Sequence, residues 1–241
     1  MENRNALSKG MSIGFYFGEV FSDFMLAKDE IDELPLDFLN VKFSVRKTNS
    51  GIKYYISSIN DEFETDYKNS SSGIQNTVPV ALITKYFSEK FSFENAFDRA
   101  VIQYVLRTGN LKNFSPVQNL NDINKTIYIH IEEPELSLFP DAQCELINTI
   151  VRNCFMENKN PIGGIFMATH SPYIINHLNL LIKANDKNKL VEGAKLNYDD
   201  ISIYQVENGK IIDLKIQNER LINTNPLSDT INDIYNEYNE L

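Results

Sequence analysis

Tryptophan is absent from the 241 residues, histidine occurs three times, and there are only two cysteines, Cys144 and Cys154. Two cysteines are too few for a disulfide scaffold, and neither has Cys or His partners at zinc spacing. Positive charge is also scarce: 23 basic residues face 33 acidic ones, for a net charge of −10, with no Lys/Arg-rich run. That balance favours solubility and disfavours sequence-independent binding along a phosphate backbone. Any nucleic acid contact would depend on a local patch or on a partner. No apolar run approaches the roughly 18–20 residues that cross a bilayer. The opening segment MENRNALSKGMS holds no apolar stretch fit for a signal peptide. No membrane association is expected, and the chain reads as soluble, reduced and cytoplasmic.

What the chain does have is apolar bulk. Hydrophobic residues make up 42%, with 15 Phe and 12 Tyr, enough for a substantial core and too many for global disorder. Residues 16–28 put Tyr16, Phe17, Val20, Phe21, Phe24 and Met25 on one helical face. After Pro35, the alternation of Val41, Phe43 and Val45, the turn Asn49-Ser50-Gly51 and the run Ile52–Ile56 predict a β-hairpin. Val78, Ala81, Leu82, Lys85 and Tyr86 follow helical spacing, which requires Pro79 to lie near the helix start or to kink it. A further helix is expected over 93–107.

The second half alternates strand and helix. KTIYIHI (125–131) is a short β-branched run, read as a buried strand, and Gly163–Thr169 is read as a second. Between them, residues 140–156 form a helix with Ala142, Leu146, Ile150 and Cys154 on one stripe. Ser171-Pro172 supplies an N-cap with proline in the first helical position, opening a short helix to about Leu180. Strand, helix, strand, helix implies a right-handed crossover and a parallel sheet. Asn208-Gly209 joins Ile201–Val206 to Ile211–Ile216 as a hairpin, and the tail from Pro226 carries Leu227, Ile231, Ile234, Tyr235 and Tyr238 as an amphipathic helix.

In open α/β sheets ligands collect at the carboxyl ends of strands. The first strand ends in Glu132-Glu133-Pro134-Glu135 and the second in Thr169-His170-Ser171-Pro172. Adjacent carboxylates at a strand mouth repel unless a cation or proton offsets them, and a neighbouring strand brings an imidazole to the same edge. A hard divalent cation such as Mg²⁺ suits one carboxylate while a second stays free as a base. His130 alternates with Glu132 but lacks a third ligand, and is expected to be a buried, hydrogen-bonded histidine. His177 is expected on the surface or in packing, and both cysteines are expected to act as small hydrophobes.

YIHIEEPELSLFP resembles the Walker B and D-loop segment of ABC-type ATPases, in the branch of the SMC/RecF-like and OLD (overcoming lysogenisation defect) proteins. ATHSPYII resembles that branch's switch-histidine segment, and NSSSGIQNTVPV its signature motif. The three occur in the family's order, from about Ser70 to Asn176. The resemblance implies roles residue by residue. Glu132 falls on the Walker B acid that holds the Mg²⁺ shell, where many relatives carry Asp. Glu133 falls on the base that polarises the attacking water, and His170 on the switch residue that contacts the γ-phosphate of ATP. Ser71, Ser72, Gly73 and Gln75 fall on the signature turn, where a hydroxyl and backbone N–H groups at a helix start favour an anion. In the family this turn meets ATP bound by a partner subunit. That implies a homodimer or a P-loop-containing partner chain. Leu138-Phe139-Pro140 resembles the D-loop, which touches the opposite subunit.

The family's phosphate loop, Gly-x-x-x-x-Gly-Lys-[Ser/Thr], does not occur in this sequence. Gly-Lys appears once, at Gly209-Lys210, where Ile211 follows in place of Ser or Thr. Gly10, Gly14 and Gly18 lack the lysine. The resemblance therefore implies a P-loop NTPase-like α/β fold whose front strand and phosphate loop are missing. One partial ATPase domain is expected over 1–241. Its N-terminal helix and hairpin would span 1–68, a helical signature lobe 69–124, and a Walker B/switch-His lobe with C-terminal hairpin and helix 125–241. Without the loop's lysine and amides the main β/γ-phosphate contacts are lost, so autonomous hydrolysis should be weak or nil. The alternative is a non-catalytic regulatory or binding protein that keeps the fold. A Toprim-like nuclease, suggested by Leu190-Val191-Glu192-Gly193, lacks the later Asp-x-Asp pair: Asp199 and Asp200 are adjacent and on a strand would face opposite ways.

Overall fold

The computed structural model describes residues 15–49, 51–60, 62–98, 102 and 125–240. Helices and sheets alternate along these segments, giving a mixed α/β fold with a four-stranded antiparallel sheet, a two-stranded parallel one and two small antiparallel pairs among the described residues. Helix α1 (Phe15–Glu30) leads into strands β1 (Glu33–Leu36), β2 (Val41–Thr48), β3 (Gly51–Ser58) and β4 (Glu64–Asp66), paired in that order and antiparallel throughout. The expected hairpin is β2–β3, closed by Gly51 at φ 117°, a conformation side chains resist. Two further strands flank it that the sequence reading did not see. Pro35 lies on the edge strand β1, where its missing N–H breaks no inner ladder, and Glu-Thr-Asp in β4 carries no apolar pattern.

Phe43 and Ile56 face each other across β2–β3 and are fully buried. Around them pack Leu34, Leu36, Ala27 and Ile31, then Val78, Ala81 and Leu82 from helix α2 (Ser72–Lys85). Phe24 is half-buried against this core, while the side chains of Tyr16, Phe17, Val20 and Phe21 lie outside the described residues. Helix α2 ends in a wide turn, Tyr86–Lys90. Pro79 sits inside α2 rather than near its start. Of the helix expected over 93–107, residues 93–98 are helical and the rest, Ile102 apart, lies outside the described residues.

Strands β5 (Ile127–Glu132) and β6 (Ile162–Ala168) are parallel, with His130 beside Phe166 and Glu132 beside Ala168. They are joined through helix α3 (Pro140–Val151, continued by the wide turn Arg152–Met156), and α4 (Pro172–Asp186) follows β6. Ile127, Ile129 and Ile131 point to one side, onto Leu146, Ile147 and Ile150 of α3 and Ile174 and Leu181 of α4. Both strands were expected to be buried, but only this inner face is covered. On the outer face Tyr128 is 68% exposed and Phe166 65%, and His130 stands open with its ring 5.6 Å from that of Phe166. The expectation of a buried His130 is thereby corrected. Its position in the alternation turns it away from the side that α3 and α4 cover.

The approach to β6 clasps the end of α2. Asn160 Nδ2 donates to the Phe87 and Phe91 carbonyls at 2.8 and 2.9 Å, and the Lys159 and Asn160 N–H groups both donate to Ser88 O. Phe87 and Phe91 pack against both hydrophobic clusters, so α2 and the parallel sheet are held as neighbours.

Helix α4 runs to Asp186, past the expected end near Leu180, because Leu181, Ile182 and Ala184 continue its buried stripe. Asp199 and Asp200 lie in a single 3₁₀ turn, not on a strand. The second hairpin, β7 (Tyr204–Glu207) and β8 (Lys210–Asp213), is shorter than expected and turns at Asn208 and Gly209, both at positive φ as a type I′ turn requires. A two-residue pair, β9 (Lys215–Ile216) and β10 (Leu221–Ile222), precedes helix α5 (Asn225–Glu240). Ile234, Tyr235 and Tyr238 of α5 are exposed, so the amphipathic stripe is present without cover. No helix among the described residues is long and apolar enough to cross a membrane.

Candidate functional site

The carboxyl ends of β5 and β6 lie side by side. The Glu133 N–H donates to Ala168 O at 2.9 Å, adding one rung to the parallel ladder before the chain turns away. At that point the backbone enters the left-handed region: Glu133 has φ 45° and Ser137 φ 60°. Such conformations cost non-glycine residues roughly 1–3 kcal/mol each and persist only where surrounding bonds enforce them. Here those bonds are Leu136 N–H to Glu133 O and Leu138 N–H to Glu135 O, both 3.0 Å.

This turn presents Glu133 to the neighbouring strand tip. Glu133 Oε1 stands 3.8 Å from His170 Nε2, with the glutamate side chain 52% exposed and the histidine 89% exposed. An exposed pair at that distance contributes little to stability. It is open to a ligand. Glu132, one residue earlier, ends the exposed outer face of β5 beside Ala168.

Two ties fix the loop after β5 against the loop after β6. The His170 backbone N–H donates to Glu135 Oε1 at 2.7 Å. Gln143, buried on α3, donates through Nε2 to Leu138 O at 2.9 Å and accepts from Ser171 Oγ. Ser171 Oγ in turn caps α4 by accepting from Ile174 N–H at 3.2 Å, the role its place before Pro172 predicts. Glu135 was expected at this strand end in a structural, supporting role, whereas nothing in the sequence singled out Gln143. Only the strand-end position of Glu135 gave a hint.

The turn at Ser70–Gly73 is built from its own hydrogen bonds. Ser71 caps α2 by accepting from Ile74 N–H at 3.4 Å. Gln75 Nε2 donates to Lys68 O and Ser70 O at 3.0 and 2.8 Å, so this amide braces the turn. Tyr67 Oη donates to Gln75 O at 2.7 Å, and burial pushes the Tyr67 phenol up to about 12. Ser71 and Ser72 are exposed, whereas Gly73 is buried: a Cβ on Gly73 would come 2.6 Å from Ser137 O. The turn therefore packs on the loop that carries Glu133 through Gly73 and Ser137. The structure brings Glu133 and His170 together, puts Glu132 at the same strand end, and connects Ser71, Ser72 and Gly73 to them through that loop.

For Mg²⁺ the donor chemistry fits in part. Glu132 and Glu133 are hard oxygen ligands, but no cluster of three or more metal-ligating side chains exists among the described residues. Mg²⁺ commonly keeps several waters and takes one or two carboxylates beside substrate phosphates. The residues present suit an ion held jointly with a nucleotide and not one held by the protein alone.

Remaining candidates have packing roles. His177 is buried and its Nε2 lies 2.6 Å from Asn148 Oδ1. Burial pushes the Cys154 thiol up to about 12, and burial with Asp141 and Glu145 nearby raises that of Cys144, so neither is a ready nucleophile.

No curated protein and no solved structure matches the chain. A family model described as the AAA ATPase domain does match, over residues 17–175, which is more than half of the chain and includes both the Ser71–Gly73 turn and the two strand tips. The chain belongs to the AAA ATPase domain family, which binds and hydrolyses ATP, usually with Mg²⁺.

Proposed function

We propose that this chain is a nucleotide-switch module of the OLD/SMC-like ABC-type branch, supplying one half of a composite ATP site whose phosphate loop comes from elsewhere. The observation that carries the reading is the approach of Glu133 and His170 to 3.8 Å at the tips of adjacent parallel strands. In this reading Glu133 accepts a proton from the water that attacks the γ-phosphorus. His170 donates a ring N–H to a γ-phosphate oxygen as the bond to the leaving ADP breaks. Glu132 would hold the Mg²⁺ shell, and the ion would supply charge neutralisation at the phosphates. Ser71, Ser72, Gly73 and the start of α2 offer an anion site to a nucleotide held by a second subunit, while Gln75 shapes that turn.

The bare outer face of the parallel sheet supports a composite arrangement. Parallel strands are normally covered on both faces, and a two-stranded sheet is marginal by itself. Tyr128 and Phe166 on that face leave room for further sheet and helix from a phosphate-loop-bearing partner. A homodimer, a separate partner chain, and service in DNA transactions or phage defence are all compatible with this reading. The absence of a Gly-Lys-[Ser/Thr] loop from the sequence favours one rival, a regulatory protein that keeps the fold without hydrolysis.

The test mixes the full chain with a phosphate-loop-bearing partner and measures phosphate release with and without Glu133→Gln. Release that collapses in the variant supports the composite site. Release indifferent to the substitution removes it.

A further inference from the structure

The spacing of Glu133 and His170 needs a cause, because each side chain is exposed and neither is held by its own packing. We propose that Glu135 is the positioning residue: its carboxylate latches the loop that carries Glu133 to the loop that carries His170. The inference deepens the nucleotide reading and rests on it for its catalytic meaning. The latch itself is a property of the isolated chain.

Three observations converge on Glu135. Its Oε1 accepts the His170 backbone N–H at 2.7 Å, across 35 residues of sequence, at the residue whose ring faces Glu133. A charge-assisted bond of that length is among the stronger polar contacts in a protein. Its Oε2 is buried and has no hydrogen-bond partner among the described residues, so the carboxylate faces the seam between the loops and not solvent. Its carbonyl accepts from Leu138 N–H at 3.0 Å inside the turn that forces Glu133 and Ser137 to positive φ. One residue thus shapes the strained turn through its backbone and fastens it to the next strand tip through its side chain. The second tie, Gln143 between Leu138 O and Ser171 Oγ, lies further from the pair and braces the loop bases.

A latch of this kind has a consequence that bulk packing does not. Removing the acceptor frees the His170 N–H and leaves the ladder of β5 and β6 untouched. Restoring a neutral acceptor of the same shape returns most of the protection.

The experiment is amide hydrogen exchange, resolved by residue, on the full chain and on Glu135→Ala and Glu135→Gln. In Glu135→Ala, exchange at His170 should rise at least tenfold, while Ile129 and Phe166 in the strands keep their rates. Glu135→Gln, whose side-chain carbonyl accepts the same N–H, should stay within about threefold of the parent. Equal rates at His170 in all three proteins overturn the latch. So does a rise shared by His170, Ile129 and Phe166, or a Glu135→Gln as fast as Glu135→Ala. In an assembly that hydrolyses ATP, Glu135→Ala should lower kcat with little change in KM, rescued by Glu135→Gln. A protected His170 beside phosphate release that ignores Glu133→Gln would keep the latch and discard the nucleotide reading.

Discussion

Tyr67 makes the hydrogen bond that Pro79 cannot. Proline at position 79 has no N–H to offer the carbonyl four residues back, and that carbonyl belongs to Gln75. The Tyr67 hydroxyl donates to it at 2.7 Å from the turn preceding α2. Helix α2 can therefore carry an internal proline with its backbone satisfied. Tyr67→Phe should lower unfolding stability by about 1–3 kcal/mol, the usual cost of a stranded buried acceptor. In a Pro79→Ala background the helix regains its own donor, so the same change should cost clearly less. Denaturant unfolding of the four proteins measures this coupling, and equal costs in both backgrounds would refute the substitution of one donor for the other.

Gly73 carries a second constraint on the same turn. An added Cβ would meet Ser137 O at 2.6 Å, and the obstacle is backbone already held at positive φ, so it cannot swing aside as a side-chain end could. Gly73→Ala should cost about 1–3 kcal/mol through overpacking. It should also shift the amide resonances of Ser137 and Leu138 in a nuclear magnetic resonance spectrum. Unchanged shifts there would mean that the start of α2 and the Glu133 loop are not in contact.

The patterns that read correctly were those set by local chemistry. The Asn208-Gly209 turn and the cap at Ser171-Pro172 each announce their structure through a few adjacent residues, whereas the β-branched run of β5 announces a strand but not that only one of its faces is covered. The convergence of Glu133 and His170 was legible because two short apolar runs each ended in polar residues at a strand tip. What could not be read was decided by partners distant in sequence. Nothing near Glu135 says that its carboxylate will reach His170, and nothing near Pro79 says that Tyr67 will cover for it. The exposure of His130 was missed for a related reason. Periodicity states which residues share a face, but which face is covered depends on where α3 and α4 pack.

His177 makes stability depend on acidity. Burial lowers its affinity for a proton below the usual imidazole value near 6.5, with Glu145 opposing in part. The unfolded chain therefore takes up a proton before the folded one as pH falls. Stability conferred by the neutral ring is complete above about pH 6.5. It declines as pH drops below that, and levels off once the folded form also protonates. Urea unfolding at pH 7.5 and 5.5 should show a loss in the parent that shrinks in His177→Gln. A pH dependence unaffected by His177→Gln would refute this account.

Exposure separates function from stability at the strand tips. Glu133 and His170 are 52% and 89% exposed, and the 3.8 Å between them is too long and too wet to hold the fold. Glu133→Gln and His170→Ala should each leave unfolding stability within about 0.5 kcal/mol of the parent, as surface substitutions do. If the composite site hydrolyses ATP, the loss of a positioned base at Glu133 should lower kcat by roughly 10²–10⁴-fold. Loss of the His170 donor should lower it by a smaller but measurable factor. The two effects should not add, because base and donor serve the same transition state. Additive losses in the double variant would mean that the residues act apart, and their meeting at the tips of β5 and β6 would then have no catalytic meaning.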